Sequence, residues 1–194
     1  MSDEKSYIRA IALGSEEALG HLYALYADKV FNTLISYTKN EEDAEELLQD
    51  VFVMVFNAAD KFNFSSSVST WIYRIAVNKS LDFLRKKNSQ KRAAIFTSLN
   101  TRNSGEVQYE SFDFNHPGIK LENKEDAQLL FRAIDALSEN QKTAFILTQI
   151  EGLTQKEVAD IMEQTRKSVE SLVQRAKANL KKELSKYFPS RGNE

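Results

Sequence analysis

The stretch Lys61–Lys87, KFNFSSSVSTWIYRIAVNKSLDFLRKK, decides the reading of this chain. It holds five aromatics, a run of serines and six Lys/Arg against one acid, Asp82. Aromatic faces stack on unpaired bases, and interleaved cations hold phosphates. That combination suits single-stranded nucleic acid better than a metal, a nucleotide pocket or a membrane. A lone basic amphipathic helix is more often a core helix with a solvated face. A second DNA-like segment near the C-terminus shifts that balance. The pattern predicts a helix from about Thr70 to Lys87. Trp71, Arg74, Asn78 and Arg85 fall on one face, because their spacings approximate whole turns. Ile72, Ile75, Ala76 and Phe83 lie toward the other. Asn78 carries a donor and an acceptor and can read a base edge. The loop Phe64, Ser65, Ser66, Ser67 can close over an extruded base. An ordinary serine-rich surface loop has the same composition, and a single large aromatic such as Trp71 is more often core.

Upstream, Ser15 can cap a helix to about Ser36, with Ala18, Leu22, Leu25 and Tyr26 on one side. Asn40 is a good N-cap, and acids at 41–43 suit the positive end of the next helix. In that helix Ala44, Leu47, Leu48, Val51, Phe52, Val55 and Phe56 recur at steps of three and four, a buried stripe. Its other face presents Glu42, Glu45, Glu46, Gln49, Asp50 and Val53. An acidic face is ordinarily solvated, but an exposed Val53 beside it points to an interface. Downstream, 88–123 lacks sustained periodicity and is rich in Asn and Ser. It reads as a linker longer than a compact domain normally holds, with too few strong apolar positions for its own core. The expected fold is therefore all-α: residues 1–90 and 124–194 as two small helical domains, with 91–123 as a linker that joins them flexibly in the free protein.

The last third is closely punctuated. Ser138–Gln141 and Thr154–Glu157 have the capping-box pattern. Gly152 stands where a glycine ends a helix. A short helix to about Met162, a tight turn, and a longer helix from Thr165 to about Tyr187 make a helix-turn-helix. Val158, Ala159 and Met162 would face Val169, Leu172, Val173 and Ala176. The basic exposed face of the long helix, with Lys167, Ser171, Gln174 and Arg175, favours DNA over plain helical packing.

Composition excludes much else. The chain has 194 residues, six Gly, two Pro and no Cys. Few breakers favour helices. Without cysteine there are no disulfides, thiolate chemistry or cysteine metal sites, which fits a reducing cytosol. The start MSDEKSYIRA has no signal pattern, and the apolar run near Val51–Phe56 is too short to span a bilayer. His21 and His116 are isolated, there is no P-loop, and no carboxylates form a recognisable catalytic pair. The expectation is a cytoplasmic non-enzyme without cofactor or membrane insertion. The formal net charge is only -2, but it is segregated. Asn40–Asp50 is acidic without a base, whereas Trp71–Arg92 and Arg166–Lys186 are strongly basic. Separate surfaces for separate partners follow.

Taken together, these segments resemble an extracytoplasmic-function sigma factor of bacterial RNA polymerase. DAEELLQDVFVMVF at Asp43–Phe56 resembles the family's core-binding helix. STWIYRIAVNKSLDFLRKK at Ser69–Lys87 resembles its promoter-melting helix. LSENQKTAFILTQIEGLTQKEVADIM at Leu137–Met162, followed by SVESLVQRAKANL at Ser168–Leu180, resembles its C-terminal DNA-binding region. The match covers roughly residues 15–87 and 125–185, in the family's order and spacing. The resemblance implies that Asp43, Glu46, Gln49, Asp50 and Val53 meet core polymerase. It implies that Phe64, Ser65, Ser66, Ser67, Trp71, Arg74, Asn78 and Arg85 meet the minus-ten element as a strand is unpaired. Arg166, Lys167, Ser168, Glu170, Ser171, Gln174, Arg175 and Lys177 would meet the minus-thirty-five duplex. An anti-sigma factor is the implied regulator. The chain departs from the family in three places: Glu170 and Leu172 stand where basic residues are usual, and the turn at Glu163–Gln164 lacks the common glycine. A helix-turn-helix regulator acting without polymerase, or a sigma-like decoy for an anti-sigma factor, would share many of these features.

Overall fold

The structure, a computed structural model, describes residues 4–100 and 124–187. Eight α-helices form among the described residues: α1 Glu4–Ala12, α2 Glu16–Thr38, α3 Glu41–Ala58, α4 Val68–Asn100, α5 Lys124–Asp135, α6 Glu139–Phe145, α7 Gln155–Met162 and α8 Arg166–Leu184. A 3-10 turn, Ala59–Lys61, follows α3, and α6 widens into a π turn over Ile146–Ile150. No strand occurs among the described residues.

The N-terminal unit forms around an apolar core. Ser15 accepts a hydrogen bond from the Ala18 N–H, and Asn40 accepts one from that of Asp43, so one orphan donor at each helix start is satisfied locally. The α3 stripe is buried from Ala44 to Val55. It packs on Leu22, Tyr26, Val30 and Leu34 of α2 and on Val68, Ile72, Ile75 and Ala76 of α4. Leu25 does not join them and is 47% exposed. The additional helix α1, absent from the expected pattern, seals this core with Ile8 and Ile11.

In the C-terminal unit, Thr154 and Glu157 complete the capping box. Ser138 stands at the N-cap of α6 without a side-chain bond, so that second box is not made. Thr165 caps α8 through the Ser168 N–H. Val158, Ala159 and Ile161 of α7 pack on Val169, Leu172 and Val173 of α8. The helix-turn-helix is formed as its sequence implies.

Two features go beyond the expected pattern. Helix α4 runs to Asn100, into the segment read as linker. The residues after Lys87 include no Gly or Pro before Gly105, and Lys, Gln, Arg and Ala are good helix formers. The two units also pack on one another. Tyr73 and Val77 of α4 share a core with Leu147, Val158, Val169 and Val173. Tyr37 of α2 is 1% exposed among Phe131, Ile134, Leu137, Ile146 and Leu180. Its hydroxyl donates to Thr143 Oγ1 at 2.9 Å. Asp135 pairs with Lys39 from the other unit and with Lys142 at 2.7 Å. Burying a side chain such as Val77 is worth about 1.5–3 kcal/mol, so this packing is a core rather than a touch. The linker aromatics Tyr109, Phe112 and Phe114 lie outside the described residues.

Candidate functional surfaces

The first surface is the outer face of α3. Burial of the stripe on one side turns Glu46, Gln49, Asp50 and Val53 to solvent. Val53 is 58% exposed and its neighbour Met54 is 44% exposed, large apolar groups that the core leaves out. Gln49 also borders a surface cavity of about 380 Å³ with Tyr23, Ala27, Asp28, Phe31, Glu45 and Leu48. Asp43 and Asp50 are not spare charges. Lys87 reaches Asp43 at 3.5 Å, and Lys79 reaches Asp50 at 2.9 Å. Glu46, Gln49 and Val53 make the open part of the face.

The second surface lies on the loop before α4 and on its first turns. Phe62 stacks on Trp71 with centroids 4.5 Å apart and tilts against Phe64 at 4.9 Å. Trp71 is thereby half-buried with one side anchored. Phe64 has φ +58°, a left-handed conformation that costs a residue with a Cβ about 1–2 kcal/mol. Such strain is found where a loop has a task. Ser67 accepts from the Thr70 N–H at 3.0 Å and so caps α4, while Ser65 is exposed and Ser66 half-exposed. Asn78 is exposed on the open side of α4.

Arg74 and Arg85 share that face, and both are paired. Arg74 pairs with Glu163 at 2.9 Å and donates to the Asp160 carbonyl at 2.7 Å. Arg85 donates to Glu139 at 2.9 Å and pairs with Asp82 at 3.3 Å. The Glu139 carboxylate raises the Arg85 pKa further above its ordinary value. Both arginines are engaged by the C-terminal unit. A second apolar stripe on α4, Tyr73, Val77, Leu81 and Leu84, faces that unit. Its steps of four, four and three were legible in the sequence, but the first stripe alone was enough to account for the helix.

The third surface is α8. Val169, Leu172, Val173 and Ala176 are buried, so Arg166, Lys167, Glu170, Ser171, Gln174, Arg175 and Lys177 turn outward. The burial of Leu172 explains one departure from the family's basic pattern: the position serves the core. Ser168 is turned back, its hydroxyl donating to Gln164 Oε1 at 2.7 Å. Arg166 leans on Gln155, and Arg175 on the Ser171 carbonyl. The Thr154 hydroxyl and N–H hold the Glu157 carboxyl below its ordinary range, which fixes the entry to the supporting helix α7.

Between the units lies a cavity of about 340 Å³, lined by Lys29, Asn32, Ser69, Tyr73, Ile150, Glu151, Leu153 and Glu157. The Glu151 Oε1 is buried there without a hydrogen-bond partner among the described residues. Burial pushes its carboxyl up to about 7. Among the described residues no group of three or more His, Asp or Glu is placed to hold a metal, and no helix is long and apolar enough to cross a membrane.

Comparison with known proteins converges on the same two regions. The family model for sigma-70 region 2 matches residues 22–90, and that for sigma-70 region 4 matches residues 127–180. The chain is 27% identical over 172 residues to the ECF RNA polymerase sigma-E factor of Escherichia coli strain K12, covering 88% of each. It is 25% identical over 181 residues to the sigma-E factor of Haemophilus influenzae, covering 93% of this chain and 95% of the relative. In structure it resembles CnrH, solved in complex with the cytosolic domain of CnrY, with a TM-score of 0.65, 22% identity and coverage of 94% and 97%. It also resembles the sigma factor RpoE of Bartonella quintana, solved with the anti-sigma factor NepR, with a TM-score of 0.58, 21% identity and coverage of 86% and 96%. The last two likenesses concern the fold. With both regions matched in order over most of its length, the chain belongs to the sigma-70 family as a sigma factor of the extracytoplasmic-function type, which directs RNA polymerase to specific promoters.

Proposed function

We propose that the three exposed surfaces divide the work of initiation. Glu46, Gln49 and Val53, with Asp43 and Asp50 behind them, dock on core polymerase. Phe64, Ser65, Ser66, Ser67, Trp71, Arg74, Asn78 and Arg85 receive the minus-ten element as it is unpaired. Arg166, Lys167, Ser168, Glu170, Ser171, Gln174, Arg175 and Lys177 meet the minus-thirty-five duplex. The protein acts in the cytoplasm, without chemistry of its own, and an anti-sigma factor regulates it. The observation that carries this reading is the exposed face of α8: a helix-turn-helix whose outward residues are mostly cationic, on a chain with two sigma-70 regions. Run-off transcription with core enzyme over a random promoter pool tests it. A consensus with two elements is expected; no promoter-dependent product refutes the reading.

Within the minus-ten surface, Asn78 is the residue best placed to read a base. It is exposed and carries both hydrogen-bond polarities. Asn78→Ala is expected to lower open-complex formation roughly tenfold, about 1.4 kcal/mol, within the range for one base contact. Core binding should be unchanged. Permanganate footprinting checks this, and equal melting by variant and parent makes Asn78 a solvated amide only.

Within the minus-thirty-five surface, Glu170 carries no ion pair among the described residues, since its neighbour Arg166 is turned to Gln155. A carboxylate repels phosphates, so it is a poor backbone clamp. It can accept a hydrogen bond from the exocyclic amine of cytosine. Glu170 therefore specifies a cytosine, while Arg175 and its basic neighbours hold the backbone. Promoter selection with Glu170→Ala should relax one position by about tenfold, near the lower end of ~1–3 kcal/mol per base contact. With Glu170→Lys, unchanged preference and a uniform gain in affinity would leave electrostatics as its whole role.

A further inference from the structure

The loop before α4 is held by a helix from outside it. Phe64 has a left-handed backbone, φ +58°, where a glycine is free of strain and a phenylalanine is not. Its ring must therefore bring contacts that offset the backbone. Two groups supply them. Phe62 meets the ring at 4.9 Å between centroids, tilted by 58°. The Arg9 guanidinium of α1 lies over it, with Cζ 5.5 Å from the ring centroid, a cation–π distance.

Arg9 is not what seats α1. Ile8 and Ile11 are the buried residues of that helix, and Tyr7 stacks on His21 of α2 at 5.4 Å. Arg9 itself is exposed, and no acid pairs with it among the described residues. Magnitudes show what its contact can do. The left-handed conformation disfavours a residue with a Cβ by a factor of about 5 to 30. An exposed cation–π contact returns a factor of about 2 to 5, and an aromatic pair about 2 to 10. Neither contact alone covers the strain, whereas their product does. Phe62 belongs to the loop's own base, so Arg9 is the part of this support that comes from another helix.

We propose that Arg9 is a positioning residue of the minus-ten site: from α1 it holds the Phe64 ring, and with it the left-handed turn, in the shape that admits an extruded base. A loop that is already ordered loses less entropy when the base enters. The α1 helix, which lies outside the sigma-70 region 2 match at residues 22–90, thereby takes part in promoter melting. This rests on the assignment of the Phe64–Ser67 loop to the minus-ten strand.

The test compares Arg9→Ala, Arg9→Met and Arg9→Lys holoenzymes, in the parent and in a Phe64→Gly background, on a promoter recovered by run-off selection. Phe64→Gly removes the ring and suits the left-handed turn. Permanganate reactivity, normalised to bound holoenzyme, measures the open complex. Arg9→Ala and Arg9→Met should lower it about threefold to fivefold, and Arg9→Lys, which keeps the cation, should retain at least about half. Without the Phe64 ring, no Arg9 variant should lower it further. A loss that persists in Phe64→Gly would mean that Arg9 meets a phosphate directly, and would overturn the positioning role. So would equal losses from lysine and alanine. A second readout needs no DNA. Trp71 is the chain's only tryptophan and stacks on Phe62 at 4.5 Å, so its emission reports how the loop is packed. Acrylamide quenching of the full free chain should rise in Arg9→Ala and not in Arg9→Lys. Unchanged quenching in Arg9→Ala would overturn the proposal, and this readout decides where Phe64→Gly leaves too little open complex to compare. The two readings separate cleanly. If Phe64→Gly impairs melting while Arg9→Ala does not, the loop assignment stands and the role of Arg9 fails. If Phe64→Gly leaves melting untouched, the assignment itself fails.

Discussion

Combining Gln49→Ala with Val53→Arg is expected to abolish tight binding to core polymerase at physiological salt while leaving helicity intact. Both residues are exposed on α3, whose apolar stripe is already committed inward, so the fold does not need them. Val53 and Met54 offer apolar area that water does not reward, and Gln49 borders the cavity lined by Tyr23 and Phe31. An arginine placed in such an interface is desolvated without a partner. An uncompensated buried charge costs roughly 3–5 kcal/mol, a loss of more than a hundredfold. Asp50 is the less informative position, because its bond to Lys79 ties it to the fold of its own unit. A core-binding titration checks the effect. Unchanged affinity would show that polymerase uses another face.

The second large effect is a pH dependence centred on Glu151. Its carboxyl is pushed up to about 7 from an ordinary 4.5, by burial. Between those values the folded chain keeps a proton that the unfolded chain has released. The stability linked to this group is therefore full below about pH 4.5 and is lost as pH rises through 7. The loss amounts to about 3 kcal/mol. Lys29, Tyr73 and Glu157 line the same cavity. Glu151→Gln stays neutral throughout. Urea unfolding of both proteins from pH 4.5 to 8 should show the variant gaining on the parent by about 3 kcal/mol, with a plateau above 7. Parallel curves would mean that the cavity hydrates the carboxylate.

Helices α2, α3, α7 and α8 were legible because each carries its own punctuation: Ser15, Asn40, Thr154 and Thr165 are caps, and the apolar steps between them are regular. The outward residues of α3 and α8 followed directly, since a filled stripe fixes the opposite face. Docking between the units was not legible. Tyr37 lies at the end of a helix whose other apolar residues serve its own unit, and its partner Thr143 is far away in sequence. The pairing of Arg74 and Arg85 was not legible, because their acidic partners, Glu163 and Glu139, lie in a different unit. The missing glycine at Glu163 was visible as an oddity, and only the three-dimensional contact gives it a use.

Tyr37 also limits how freely this protein can be recombined. Factors with two DNA-binding halves invite chimaeras in which one half is exchanged to redirect promoter choice. Here the largest fully buried side chain in the C-terminal core belongs to the N-terminal half. A C-terminal half grafted onto a different partner would open its core where that ring sits, and would leave Thr143 without its hydroxyl donor. Transplants that carry α2 along with α5 to α8 should keep their solubility, whereas exchanges made at the linker alone should yield halves that aggregate.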